Sequence, residues 1–326
     1  MQGFDPKWKD FPDYIIGITK EIWEDRQIHS LMDLYSPDIP VRAPGSVVVG
    51  NESVIAATMA TLSEFPDRQL LGEDVIWCGE NGNDDDSALL SSHRILSTAT
   101  HSKHGVYGEP TGEKLRYRII ADCAAKNNQI YDEWLIRDQG AIVRQLGWDP
   151  KEYASDLISL EGGPEHCMRP LTPANDIDGP YKGKGNNNEW GIRYADMITR
   201  IMNAEMSAVP HEYDRACSLE HPGGESAAGH EAADGFWMGL RASFPGAVFT
   251  VHHCIGRDDD TMPPRAAVRW SLHGKHDGWG TFGAPTDADV YVLGISHAEY
   301  GPYGLRREWV LYDEAAIWKQ IVLETG

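Results

Sequence analysis

Residues 129–147 read QIYDEWLIRDQGAIVRQLG, and residues 304–322 read GLRREWVLYDEAAIWKQIV. Set one above the other, Glu133-Trp134, Asp138 and Gln145 fall on Glu308-Trp309, Asp313 and Gln320 without a gap. Working outward, Arg94, His101, Pro110 and Thr111 recur as Arg269, His276, Pro285 and Thr286 at the same spacing of 175 residues. Farther upstream, Gly50, Glu52, Phe65 and Pro66 recur as Gly229, Glu231, Phe244 and Pro245, now 179 apart. The difference falls in one place, the acidic turns around 81–86 and 258–260. A turn can change length without moving a core, which is how a structural repeat absorbs an insertion. The chain therefore carries one fold twice.

Its 326 residues are enough for two domains, each large enough to bury its own core. The expected division is a first domain over 1–148, a linker over 149–188 and a second domain over 189–326. Lys+Arg number 29 against 50 Asp+Glu, for a net charge of −21. That charge argues against nucleic acid and against an anionic membrane surface as partners. No run of about 18 apolar residues exists to cross a bilayer. The five cysteines are sparse and lack C-x-x-C spacing, so they read as reduced thiols in a cytoplasmic protein.

Apolar spacing predicts helices over 15–35, 52–64 and 139–146, with a further helix over 149–160. Val54, Ile55, Met59 and Leu62 are expected to face inward. Strands are predicted over 69–78, 88–98, 115–125 and 129–137. The second copy repeats this with helices over 192–213, interrupted near Pro210, and 231–242, and strands over 247–255, 265–273, 289–299 and 305–311. Residues 162–188 are rich in Gly, Pro and Asn and read as loop. Each copy is thus α+β: helices first, then an antiparallel meander that they cover, with a ligand-sized cavity between.

Thr100-His101, Pro110-Thr111-Gly112, Glu133-Trp134, Asp138 and Gln145-Leu146-Gly147, preceded by GNESV…EFPD over 50–67, resemble the SnoaL-like polyketide cyclase family. That family has the nuclear-transport-factor-2-like cone fold. The second copy departs from the pattern, with Asp287 after Thr286 and Ile321-Val322 after Gln320, but keeps His276 and Asp313. An active second copy and a scaffold both fit those departures. The resemblance implies two tandem cones and a cofactor-free lyase or isomerase that closes a ring by intramolecular aldol chemistry. By the same resemblance Asp138 is the acid/base and His101 its neighbour or oxyanion donor, with Asp313 and His276 as their counterparts. Single-copy relatives pair through their sheets, so the chain is expected to form an internal pseudo-dimer, as a monomer or a dimer of chains.

Such chemistry asks for one positioned base of raised pKa and a donor to the enolate oxygen. Asp138 and Asp313 each precede a predicted helix and would serve equally as N-caps. Glu133 and Trp134 alternate on a strand, so one of them faces the cavity, as does one of Glu308 and Trp309. Arg94, Trp134, Arg269 and Trp309 are the candidate pocket residues. His252-His253-Cys254 cannot converge on a metal from one strand, and Asp84–Asp86 and Asp258–Asp260 lack EF-hand spacing, so no metal is expected. No P-loop, dinucleotide fingerprint, G-x-S-x-G or H-E-x-x-H is present. Two other readings stay open. One is a non-catalytic binding or dimerisation module. The other is an epoxide-hydrolase-like enzyme drawing on Asp122, Asp132, Asp138, Arg94 and Arg118.

Overall fold

The computed structural model describes residues 1–80, 82–83 and 87–326. The acidic turn at Asp84–Asp86 lies outside the described residues. The chain opens with α1 (Phe11–Trp23), capped by Asp10, which accepts from the Asp13 N–H. Ile15, Ile18 and Ile22 make its buried stripe. The helix predicted to residue 35 is broken: after α1 come a 3-10 turn at Ile28–Ser30 and the short α2 (Leu31–Leu34). Arg26 sits between them at φ 62, a left-handed conformation that a helix cannot run through.

A hairpin then appears that sequence reasoning missed, β1 (Pro40–Ala43) and β2 (Ser46–Val49). It is followed by α3 (Asn51–Glu64), entered through Gly50 at φ 89. Leu62 of α3 is buried, whereas Met59, expected inside, is 57 % exposed. The main strands are β3 (Gln69–Gly79), β4 (Ala88–Thr100), β5 (Lys114–Lys126) and β6 (Gln129–Arg137), closed by α4 (Gln139–Gln145). After α5 (Pro150–Leu160), residues 161–188 form neither helix nor strand apart from one bridge, Gly185 to Cys254.

The second copy runs α6 (Glu189–Met202), α7 (Ala208–Glu212), β7 (Tyr213–His221), β8 (Glu225–Ala228) and α8 (His230–Ser243). It ends with β9 (Val248–Arg257), β10 (Arg265–Lys275), β11 (Asp289–Gly301), β12 (Gly304–Tyr312) and α9 (Glu314–Thr325). The helix predicted over 192–213 breaks at Ala204, φ 67, and not near Pro210, which lies inside α7; its last residue opens a strand instead.

Each copy builds a six-stranded sheet, β2-β1-β6-β5-β4-β3 and β8-β7-β12-β11-β10-β9. The architecture is α+β, two tandem cones, as expected. The sheets are mixed where a pure meander was predicted, because β1 pairs parallel with β6 and β7 parallel with β12. The missed hairpins are what create that parallel edge.

Side chains alternate across β4–β6. Odd-numbered residues such as His93, Ile95, Ala121, Glu133 and Leu135 face the helices of the first copy. Even-numbered ones face the second sheet: Ile120 and Ile136 share one apolar cluster with Leu293, Ile295 and Leu311. Around that cluster the two copies exchange reciprocal contacts. The Arg94 guanidinium lies 3.6 Å over the Trp309 ring, and that of Arg269 lies 3.5 Å over Trp134. Arg269 also bonds Asp122 at 2.9 Å, while Arg94 meets His297, the counterpart of Asp122, at 3.1 Å.

Candidate functional site

A cavity of about 360 Å³ lies between the first sheet and its helices. Helix α1 presents Ile15, Ile18 and Ile22 to it, and α3 presents Val54, Ala57, Thr58 and Thr61. Those spacings of three and four residues put each set on one helix face. The hairpin β1–β2 closes one side with Val41, Ser46 and Val48. The volume is within the range of small-molecule sites, and the walls are mostly apolar.

The few polar groups on these walls matter most. Glu133 is buried on β6, and its Oε2 has no hydrogen-bond partner. Burial pushes its carboxyl up to about 7; the Tyr35 hydroxyl pulls it down and the charge of Asp132 pushes it up. His93 on β4 is buried, and its Nε2 is likewise without a partner. Burial, with the Arg94 charge behind it, pushes His93 down to about 3, so its imidazole stays neutral. Arg68 and Arg137 also line the cavity, with Gln139 and Asp313 beside Arg137. A carboxyl of pKa near 7 in an apolar cavity, one oxygen free, is a group able to take and return a proton at neutral pH.

Sequence reasoning left Glu133 and Trp134 undecided; Glu133 faces the cavity and Trp134 the second sheet. The four candidate pocket residues are not brought to the cavity. Arg94 and Trp309 stack on each other in the interface, as do Arg269 and Trp134. Trp134 and Arg269 border a separate surface hollow with Arg42 and residues of the 176–184 segment. The reason is strand alternation: Arg94 and Trp134 lie on the face of the first sheet opposite His93 and Glu133. Arg269 and Trp309 lie on the corresponding face of the second sheet, opposite Val268 and Glu308.

Asp138 and His101 are not brought together at the cavity either. Asp138 caps α4 by accepting from the Ala141 N–H at 3.0 Å. Its two oxygens also accept from the Gly223 N–H at 2.8 Å and the Gly224 N–H at 3.0 Å, both in the β7–β8 turn. Burial raises its carboxyl to about 6 against those three donors. It is a clasp between the copies with both oxygens engaged. His101 is fully buried, 3.2 Å from the Thr111 hydroxyl and 3.6 Å from Glu64, against Phe65 and Tyr107. His276 repeats this with Thr286 at 3.0 Å, against Phe244 and Phe282. Both histidines pin the loop that follows their strand. Asp313 does reach a cavity, but the first copy's: it caps α9 through the Ala316 N–H, and burial raises it to about 7.

The carboxylates and arginines of the epoxide-hydrolase reading are likewise outside the cavity. Asp122 pairs with Arg269, Asp132 with Arg42 and Arg118 with Glu220. His252 and His253 bond separately, to Ser271 and to Tyr181.

In the second copy the same volume is filled. Trp237 and Trp270 are fully buried in one continuous core with Phe244, Phe282 and Tyr312. They stand at the positions of Thr58 and Ile95. Gly294, at the position of Ile119, makes the room: a Cβ there would meet the Trp270 ring at 2.1 Å. Glu308, the counterpart of Glu133, is fully engaged. The Tyr194 hydroxyl donates to it at 2.9 Å, and the Tyr213 hydroxyl lies 2.8 and 2.9 Å from its two oxygens.

Solved structures resemble this chain at the level of the fold. The chain resembles the SnoaL-like polyketide cyclases. One such protein from Agrobacterium tumefaciens is 16 % identical, with a TM-score of 0.34, over 43 % of this chain and 99 % of its own. IdmH from Streptomyces antibioticus, described as a candidate polyketide cyclase, is 20 % identical, with a TM-score of 0.35, over 42 % of this chain and 97 % of its own. AclR from Streptomyces galilaeus, described as a candidate hydroxylase, is 18 % identical, with a TM-score of 0.35, over 41 % of this chain and 92 % of its own. No family model matches the chain, and no curated protein does. Among the described residues no helix is long and apolar enough to cross a membrane.

Proposed function

We propose that the first copy is an acid/base enzyme for a small carbonyl compound and that Glu133 is its base. The observation that carries this reading is the Glu133 carboxyl, raised to about 7 in an apolar cavity with Oε2 unpartnered. Its carboxylate takes a proton from a carbon next to a carbonyl. The electron pair moves onto the carbonyl oxygen as an enolate. In a ring closure, the enolate carbon then forms a bond to a second carbonyl carbon of the same molecule. Glu133 returns its proton to the resulting alkoxide. The scheme uses no metal or cofactor, and its main demand is that the two reacting carbons be held together. This is the aldol chemistry expected from the family resemblance, with the base moved from Asp138 to Glu133.

The second copy serves as scaffold in this reading, since its cavity volume is core. We also propose that the chain works as its own pseudo-dimer in the cytoplasm, divided at 1–148, 149–188 and 189–326.

The test is solvent-deuterium exchange into aryl 1,3-dicarbonyls, followed by NMR. The native protein is expected to exceed the buffer rate, with a rate that rises with pH through about 7 as Glu133 ionises. Glu133→Gln is expected to return to the buffer rate, while Asp138→Asn, changed only at the clasp, keeps its exchange. Exchange surviving in Glu133→Gln sinks the assignment.

A further inference from the structure

Five arginines are buried among the described residues: Arg42, Arg68, Arg94, Arg265 and Arg269. Four of them hold a carboxylate: Arg42 with Asp132, Arg94 with Glu73, Arg265 with Asp74 and Arg269 with Asp122. Arg68 is the exception. Its Nε donates to the Ser97 hydroxyl at 3.3 Å, and its Nη1 has no partner. The guanidinium lies 4.4 Å over the Trp23 ring and 5.9 Å from that of Tyr117. An arginine stays charged, and burial lowers Arg68 only to about 10. A second cation adds to this field: Arg137 lines the same cavity, its Nε is unpartnered, and its charge opposes that of Arg68.

Two like charges at one end of an apolar cavity, neither in an ion pair among the described residues, are costly to bury. Their tyrosine neighbours do not neutralise them, because burial holds the Tyr107 hydroxyl protonated. Asp313 is the one acid on this part of the wall, and its carboxyl is itself raised to about 7. The second copy offers an independent comparison. Where its cavity is filled, the counterparts of Arg68 and Arg137 are Ala247 and Tyr312, so both cations go when the cavity goes. A structural role for these arginines would have no reason to follow the cavity.

We infer that Arg68 and Arg137 form an anion subsite, and that the molecule worked on at Glu133 carries a carboxylate seated there. This rests on the proposed role of the cavity and names its substrate class: a keto acid with its anion at one end and its acidic C–H at the other. Arg137 follows Glu133 by four residues on one strand, roughly 13 Å between Cα atoms. The substrate therefore spans much of the cavity. Guanidinium forks suit a planar carboxylate because two N–H donors meet two oxygens.

Calorimetric titration of 2-naphthoate against 2-naphthamide tests this, since the two differ in little but charge. The native chain is expected to bind the acid at least about tenfold tighter, the worth of a hydrogen bond to a charged group. Arg68→Met is expected to erase that preference while still binding the amide. Arg137→Gln, at a half-buried position that tolerates change better, is expected to reduce it several-fold. Glu133→Gln should keep the preference while losing exchange, so failure of the base assignment and failure of the subsite are read separately. Equal affinities in the native chain, no naphthoate binding at millimolar concentration, or an undiminished preference in a folded Arg68→Met overturns the inference.

Discussion

The two copies share a backbone plan and use its interior in opposite ways. The first keeps a cavity of about 360 Å³ with an underbonded glutamate on its wall. The second fills the same space with Trp237 and Trp270 and bonds its glutamate to two tyrosines. What differs is a handful of positions: Thr58 against Trp237, His93 against Val268, Ile95 against Trp270, Arg68 against Ala247 and Arg137 against Tyr312. The lesson concerns what a repeat can reveal. Apart from the pair Glu133 and Glu308, residues kept in both copies mark what both copies need, and that is structure. Gln145 bonds the Arg116 backbone through both ends of its amide, and Gln320 does the same at Tyr291. His101 and His276 pin loops, and the arginine–tryptophan pairs hold the sheets together.

The largest break in the comparison should come from opening the second copy. Trp237→Ala removes a fully buried ring and the Nε1–H that donates to Tyr213 at 2.9 Å. A cost of about 3–5 kcal/mol is expected in urea unfolding. A loss under about 1 kcal/mol, the usual size of a surface change, would mean the second interior is not the packed core described.

The pH dependence of stability is next in size. Glu133, Glu308 and Asp313 are raised to about 7, and Asp138 to about 6. A carboxyl raised in the folded state contributes most below its unfolded pKa, and that contribution is lost as pH rises through the folded value. Glu73 and Asp259, lowered by their arginine partners against the opposing effect of burial, act the other way, but only as pH falls below about 4. Burial lowers His93, His221, His252, His253, His276 and His297, so these groups add stability as pH rises toward their unfolded value near 6.5 and offset the loss below it. Melting temperature is therefore expected to fall only between about pH 6.5 and pH 8, on the order of 5 °C. Glu133→Gln and Glu308→Gln should each flatten part of that slope. A melting temperature that climbs steadily to pH 8 would contradict the burial of these carboxyls.

Smallest in stability is the reverse graft. Thr58→Trp places the second copy's residue in the first copy's cavity. A change within about 1 kcal/mol is expected in the same unfolding assay, because the ring enters existing space where overpacking of a full core would cost more. Exchange activity should nevertheless be lost. Retained activity would put the working volume elsewhere.

Much of the fold was legible. The repeat, the four long strands of each copy and the caps at Asp138 and Asp313 follow from spacing and polarity. The hairpins β1–β2 and β7–β8 did not, because three of their four strands are four residues long, too short for alternation to show. The helix breaks at Arg26 and Ala204 were also hidden, since neither residue type announces a left-handed backbone. Of the site, the Glu133/Trp134 alternation was in view without its sense, and Asp313 without its place on the first copy's wall. His93, Arg68 and Arg137 are not repeated in the second copy, so the repeat does not point to them. A usable signal was there: polar residues of one copy standing opposite Val268, Ala247 and Tyr312 of the other.

Diffraction from xenon-pressurised crystals tests the central claim most directly, because xenon enters apolar cavities regardless of substrate. The account expects xenon in the first domain, among Ile18, Leu135 and Ile95, and none beside Trp237 or Trp270. Xenon in the second domain, or in neither, would contradict the division between one working cavity and one filled core.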